Sequence, residues 1–498
     1  MKKYLSIILT ALVITGSSCK KDYLGELTNN PNTPSVAAPN LLLSGALKTT
    51  AGILNGATST SNRSYYIQYC VWVGYLSRST GYQVFSNIDQ YQFTTGDFDV
   101  WSPLYNNLSN YNAIIGSNSG ANYTAIAKIM TVVGFQQLVD NYNNVPYSQA
   151  LQGTKNLTPA FDTGSAIYDD LLKQLDASIA LIKGATAADL NPGVADIMFK
   201  GDMTKWKKFA NTLKLRIALR QSNIAAKTTA LKAAVAATAA EGYLDATVDA
   251  RVNPGYISSD AQGGQQSPLY LNYGYTQGGA GQTNNQQYQA NQYSILFFRN
   301  NNDPRLKQVY APNPNGDVIG SAFGGTVTIP GQQTPSKFGP GVIKSATMPA
   351  VIMSSAEALF LQAEGAAAGY ITGNAATLYN AGITASFVDD GLTAAQATTY
   401  YGQTAIAYPA AGSFAAQQKA IIVQKWAALE GYGSLEAFNE LRRTGYPDDI
   451  PLSIYPGVTA PNQVTRIFYP VVVYSTNATN VGAQGTIDKF NSKIFWAK

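Results

Sequence analysis

Residues 354–387 read SSAEALFLQAEGAAAGYITGNAATLYNAGITASF. Ser354-Ser355-Ala356-Glu357 is a capping box, a hydroxyl answered three residues on by a glutamate, and it opens a helix. Leu359, Phe360, Ala363, Ala367 and Tyr370 then fall on one side, with a stop near Gly369. A second apolar run, Leu378, Tyr379, Ile383 and Phe387, begins almost at once. Two short helices joined by a short turn make an αα-hairpin. The stretch therefore predicts a helical hairpin.

Working outward, residues 415–430, with Ile422, Trp426 and Leu429, and residues 434–443, with Ala437, Phe438 and Leu441, repeat the arrangement. In 162–184 the residues Ile167, Tyr168, Leu171, Leu172, Leu175, Ile179 and Ile182 trace a continuous apolar helix face. Hairpins in series predict a mainly α, tetratricopeptide-like scaffold, although no clean 34-residue repeat accompanies them. Two helices carry paired arginines, Arg216 with Arg220 and Arg442 with Arg443. A phosphate or carboxylate clamp would use such pairs. The plainer reading is a buried helix for the first pair and a helix end, closed by Gly445, for the second.

Segments 79–99 and 252–298 break the helical pattern. Both are rich in Gly, Asn, Gln and Tyr, and the second holds one charged side chain, Asp260. Irregular stretches of this length in a compact body are usually functional. Tyr82, Phe85 and Tyr91 lie among Gly81, Ser86, Asn87 and Gln90, off any helical stripe, so they are expected to be exposed. Tyr273, Tyr275 and Tyr288 lie among Gly, Gln and Asn in the second segment. Flat rings beside amides suit a neutral sugar, whose C–H face stacks while its hydroxyls bind amides. Tyr82, Phe85, Tyr91, Tyr273, Tyr275 and Tyr288 are thus the candidate ligand-binding residues, and packing of the same rings onto the scaffold is the competing reading.

The chain has 498 residues, room for about three domains at roughly 150 residues each or for one large unit. Charged residues are only 13%, against a usual share of roughly 25%, so uncharged polar groups must cover the surface. A formal charge of +5 is too small at this size to indicate nucleic acid. Histidine is absent, which excludes Ser-His-Asp and Cys-His machinery and HExxH zinc sites. With two cysteines, Cys19 and Cys70, neither a disulfide framework nor a four-thiolate metal site can form. Cys70, in an apolar and aromatic run, is expected to be buried and inert. A glycosidase needs only two carboxyl groups about 5 to 9.5 Å apart, and Asp97 with Asp99 or Asp389 with Asp390 could supply them. Neither pair carries a specific signal. No calcium-loop or phosphate-loop motif occurs, and no catalytic residue, metal or cofactor is expected.

At the N-terminus, Lys2 and Lys3 precede the apolar stretch Leu5 to Ile14, and Gly16, Ser17 and Ser18 lead into Cys19. The stretch is shorter than the about 20 residues that span a bilayer, so it reads as an export signal. Small residues directly before a cysteine resemble a bacterial lipoprotein lipobox, which implies lipidation of Cys19. The expected organisation is a signal peptide over 1–18, a lipid-anchored tether over 19–39 punctuated by prolines, and one α-helical domain over 40–498.

Several long motifs stand in a telling order. They are NNPNTP from Asn29, NYNNVPYSQAL from Asn141, WKKFANTLKLRIALR from Trp206, DPRL from Asp303, the stretch from Ser354 quoted above, and QKWAALEGYGSLEAFNELRRTGYP from Gln424. Over nearly its whole mature length the chain resembles the SusD/RagB-like outer-membrane lipoproteins of Bacteroidota. It departs from their pattern at Asn143-Asn144, where a glycine is common, and at Val471, where a glutamate usually follows Tyr-Pro. The resemblance implies a SusD-like helical domain on tetratricopeptide-like hairpins and a lipoprotein exposed on the outer membrane. It further implies a lid-like partnership with a SusC-like TonB-dependent barrel and capture of oligosaccharide, or of peptide in some members, without chemistry. Glycan-binding residues in this family sit in variable loops, so none carries over by motif.

Overall fold

The computed structural model describes residues 38–56, 66–79, 81–83, 85–261, 265–325 and 334–498. The expected signal peptide, Cys19 and nearly all of the tether lie outside the described residues. The longer helices are α1 (Pro39–Leu54), α2 (Trp101–Gly116), α3 (Ala121–Tyr142), α4 (Gly164–Gly184) and α5 (Met203–Arg220), then α6 (Ser355–Ala367), α7 (Ala375–Asp389), α8 (Ala394–Tyr401), α9 (Phe414–Ala428) and α10 (Ser434–Thr444). Consecutive helices pack in pairs, α1 on α2, α2 on α3, α3 on α4, α4 on α5, α6 on α7 and α7 on α8. The two series meet where α6 packs against both α5 and α9. This is a tetratricopeptide-like assembly of hairpins.

The 354–387 hairpin forms as its sequence predicts, with one correction at its start. Ser354 Oγ accepts from the Glu357 N–H at 3.1 Å, but the return half of the capping box is absent. Glu357 turns its carboxylate inward instead, and Arg216 Nη1 donates to it at 3.1 Å. At the other end Gly369 takes φ +70°, and the Tyr370 N–H reaches back to the Gly365 carbonyl at 2.7 Å. That is the left-handed closure a glycine permits. Asn374 then caps α7, accepting from the Thr377 N–H at 2.9 Å. Phe360, Tyr379, Ile383, Phe387 and Tyr400 form a separate apolar core between α6, α7 and α8.

The paired arginines are structural. Arg220 contacts Glu436 and lies 3.8 Å from Asp140, while Arg443 lies 2.7 Å from Glu364, all of them buried. Lys425 and Glu440 meet at 2.8 Å beside them. Burial of so many charges is tolerable only because each is paired and hydrogen-bonded.

The 252–298 segment is less irregular than its composition suggests. It contains the short helices Pro268–Tyr273 and Thr283–Gln287, a strand, and most of the helix Gln292–Asn300. The strands are β1 (Leu76–Arg78), β2 (Ala250–Val252), β3 (Tyr288–Ala290) and β4 (Ala350–Met353). β2 pairs with β4, and β1 pairs antiparallel with β3 in the register Leu76↔Ala290, Ser77↔Gln289, Arg78↔Tyr288. The second ladder joins the two tyrosine-rich segments.

Candidate ligand-binding site

Arg78 ends β1 directly opposite Tyr288. The Arg78 Nε donates to the Gln83 carbonyl at 2.5 Å. Its Cζ stands 3.6 Å from the Phe85 ring centroid, 5.2 Å from Tyr288 and 5.6 Å from Tyr82. Three rings gathered on one cation are held by the attraction between the charge and their π-faces. Of the three, Tyr82 is the exposed one, at 40%. Its hydroxyl donates to Gln286 Oε1 at 3.1 Å, and Gln286 Nε2 donates in turn to the Gly281 carbonyl at 2.6 Å.

Gly281 belongs to a small hairpin. It bridges to Tyr275, the Thr276 N–H donates to Ala280 at 2.7 Å, and the Gln282 N–H donates to Gly274 at 3.0 Å. Tyr275 is half-buried on this hairpin, with the Lys337 ammonium 6.0 Å from its ring centroid. The fold therefore links Tyr82 and Phe85 from one segment to Tyr275 and Tyr288 from the other, through one ladder and one glutamine. A ring presented to solvent beside amide groups can stack on a pyranose and meet its hydroxyls.

Of the rings expected to be exposed only Tyr82 is, since Phe85 is half-buried and Tyr91 buried, and of the three tyrosines in the second segment Tyr273 and Tyr288 are buried too. Tyr91 is 1% exposed, edge-on to Phe323 at 5.8 Å and Phe490 at 5.6 Å, and its oxygen accepts from the Ser453 N–H at 3.1 Å. Burial pushes its phenol up to about 12. Tyr273 is 4% exposed and edge-on to Phe338 at 5.8 Å, and Tyr288 is 3% exposed beneath Phe85 and Arg78. These buried rings pack the scaffold and offer no open face. The sequence reading missed Arg78, Asn285, Gln286 and Lys337, all of which touch the site. Gln286 and Asn285 could have been found in the amide-rich segment, whereas Arg78 and Lys337 lie outside both irregular segments.

Asp97, Asp99 and Asp389 are engaged in holding the fold. Asp97 accepts from Asn87 Nδ2 at 2.8 Å and the Thr94 N–H at 2.9 Å, and Asp99 accepts from the Ser102 N–H at 3.0 Å. Burial would raise Asp389, but Arg251 and Lys344, each 2.7 Å away, hold it below the usual carboxylate range. Its neighbour Asp390 is pushed up to about 7 by burial. Burial also raises the Cys70 thiol to about 12, which makes it a poor nucleophile. Among the described residues no group of three or more His, Cys, Asp or Glu could hold a metal ion, and no helix is long and apolar enough to cross a membrane.

Comparison with known proteins places this architecture. The SusD-like family model described as "Starch-binding associating with outer membrane" matches residues 31–470, and the chain belongs to that family. A SusD homolog from Bacteroides uniformis shares 24% identity at a TM-score of 0.75, over 92% of this chain and 99% of its own. A chitin-binding SusD homolog from Flavobacterium johnsoniae shares 23% at 0.76, over 91% and 98%. A SusD-like protein from Bacteroides thetaiotaomicron shares 22% at 0.71, over 91% and 98%. At these identities the likeness is one of fold. No curated protein compared with the chain matches it.

Proposed function

We propose that the chain is a cell-surface lipoprotein, anchored through Cys19, that captures oligosaccharide on the face between Tyr82 and Tyr275 and passes it to a SusC-like TonB-dependent barrel without altering it. The observation that carries this reading is the Tyr82 ring, held in place by Arg78 and Gln286 yet open to solvent. Exposed rings fixed in position lose little conformational freedom on binding, and so favour stacking. If each stacked ring contributes about 1 kcal/mol, two rings and their amide partners support roughly millimolar to micromolar affinity. Weak binding suits a protein that must release its cargo to a transporter.

Calorimetric titration of the soluble chain with neutral and uronate-containing oligosaccharides tests the reading. Saturable binding is expected, lost in the Tyr82→Ala/Tyr275→Ala double variant while its circular dichroism stays native, with no new reducing ends in prolonged incubation. Binding unchanged in that variant would place the ligand face elsewhere. Release of reducing ends would make the protein a glycoside hydrolase.

A further inference from the structure

At the Tyr275 hairpin three groups have unmet chemistry. Lys337 is half-buried and makes no ion pair among the described residues. Asp260, the one acid of the 252–298 segment, spends its Oδ2 on the Gln277 N–H at 2.8 Å. Burial lowers the Lys337 pKa, as it does for any ammonium withdrawn from water without a counter-charge.

Asn285 is the second group. It is 3% exposed, and its Nδ2 donates to the Tyr273 carbonyl at 2.6 Å, which sets the orientation of the amide. Its Oδ1 is then left buried with no donor. Gly281 shows that this oxygen and the Lys337 ammonium border one space. A Cβ built on Gly281 would sit 2.5 Å from Asn285 Oδ1 and 3.4 Å from Lys337 Nζ. Glycine, with no side chain to collide, lets the unsatisfied acceptor approach the backbone this closely, on the side where the Lys337 cation and the third group, the ring of Tyr275, also lie. An unpartnered buried acceptor and an unpaired cation both carry a desolvation cost that a ligand with the matching groups removes.

We propose that this subsite recognises the carboxylate of a uronic acid residue, so that the captured glycan is an acidic oligosaccharide. Lys337 pairs with the carboxylate, Asn285 Oδ1 accepts from a hydroxyl of the same sugar, and Tyr275 covers its C–H face. The assignment rests on the glycan-capture reading, and it narrows the ligand class within it.

The test titrates the soluble chain with oligomers of galacturonate, guluronate and glucuronate-containing disaccharides, each beside its neutral methyl ester, with sulfated chondroitin fragments and acidic tetrapeptides as further arms. At least one uronate should bind ten-fold or more tighter than its ester, with the difference shrinking as salt rises. Lys337→Met should erase the difference between acid and ester with the melting temperature unchanged or higher, while Lys337→Arg should keep the difference. Equal binding of every acid and ester pair, or a preference that survives Lys337→Met, overturns the carboxylate assignment. Preference for the sulfated fragments or the peptides over every uronate overturns it too. Glycan capture itself stands in any case where a glycan still binds and the Tyr82→Ala/Tyr275→Ala variant loses it, so the two readings fail separately.

Discussion

Tyr82 and Tyr91 lie nine residues apart in the same kind of sequence, yet they have opposite fates. Tyr82 reaches solvent and touches the fold through its hydroxyl and one face, so Tyr82→Ala should change stability by less than about 1 kcal/mol in urea denaturation. Tyr91 fills a space lined by Phe323 and Phe490, so Tyr91→Ala should cost about 3–5 kcal/mol in the same measurement. Glu430 supplies a residue-scale prediction about pH. Its buried carboxyl lies against the hydroxyls of Ser294 and Tyr310, and the Tyr310 hydroxyl also donates to the Tyr75 carbonyl at 2.6 Å. Tyr310 has one hydroxyl proton to offer both the Tyr75 carbonyl and Glu430, so a charged carboxylate buried here would be poorly satisfied. Burial accordingly raises the group from 4.5 to about 8, with Asp390 adding to the rise while Ser294, Tyr310 and Arg305 oppose it. Below pH 4.5 both folded and unfolded chains hold this proton. Between 4.5 and about 8 only the folded chain does, so stability falls as pH rises and levels off above that range. Glu430→Gln keeps a donor toward Tyr310 and cannot ionise. It should match the wild type at pH 5 to within about 1 kcal/mol and exceed it by about 2 kcal/mol or more at pH 8.5. A stability gap between the two proteins that does not vary with pH would contradict the neutral carboxyl.

At the scale of elements, α5, α6 and α10 are bound together by charge as well as by apolar packing. Arg443 of α10 reaches Glu364 of α6 and Glu440 of its own helix, all three buried. Arg443→Ala would leave Glu364 without a cation and Glu440 with Lys425 alone, and a cost of about 3–5 kcal/mol is expected from denaturant titration. Adding Glu364→Gln to that variant should recover part of the loss, because one stranded charge is then removed. The β1–β3 ladder works differently. Three residue pairs contribute little stability, but they set the Tyr82 turn and the Tyr275 hairpin in one frame. Changes that weaken this ladder should therefore reduce glycan binding more than they reduce thermal stability.

For the whole molecule, the family is one that associates with the outer membrane, while no described helix can span a bilayer. Lipidated Cys19 is the proposed means of attachment. Cys19→Ala should move the protein from the membrane fraction to the soluble fraction after detergent-free washing. Retention of that variant in cells lacking the barrel partner would disprove the anchor. The helical class, the hairpins, the cap at Ser354 and the buried role of Arg216 and Arg220 were all legible in the amino-acid order. Each depends on contiguous residues, through the 3.6-residue period and the donors a helix end leaves unsatisfied. The reading failed where the deciding partner is remote. Tyr91 is buried by Phe323 and Phe490, Glu357 leaves its capping box for Arg216, and Lys337 meets Asn285 across more than fifty residues of chain. Exposure and charge pairing are properties of surfaces brought together by folding, so local composition could mark the two segments that build the site, and only the tertiary structure could select the rings and the cation that face the ligand.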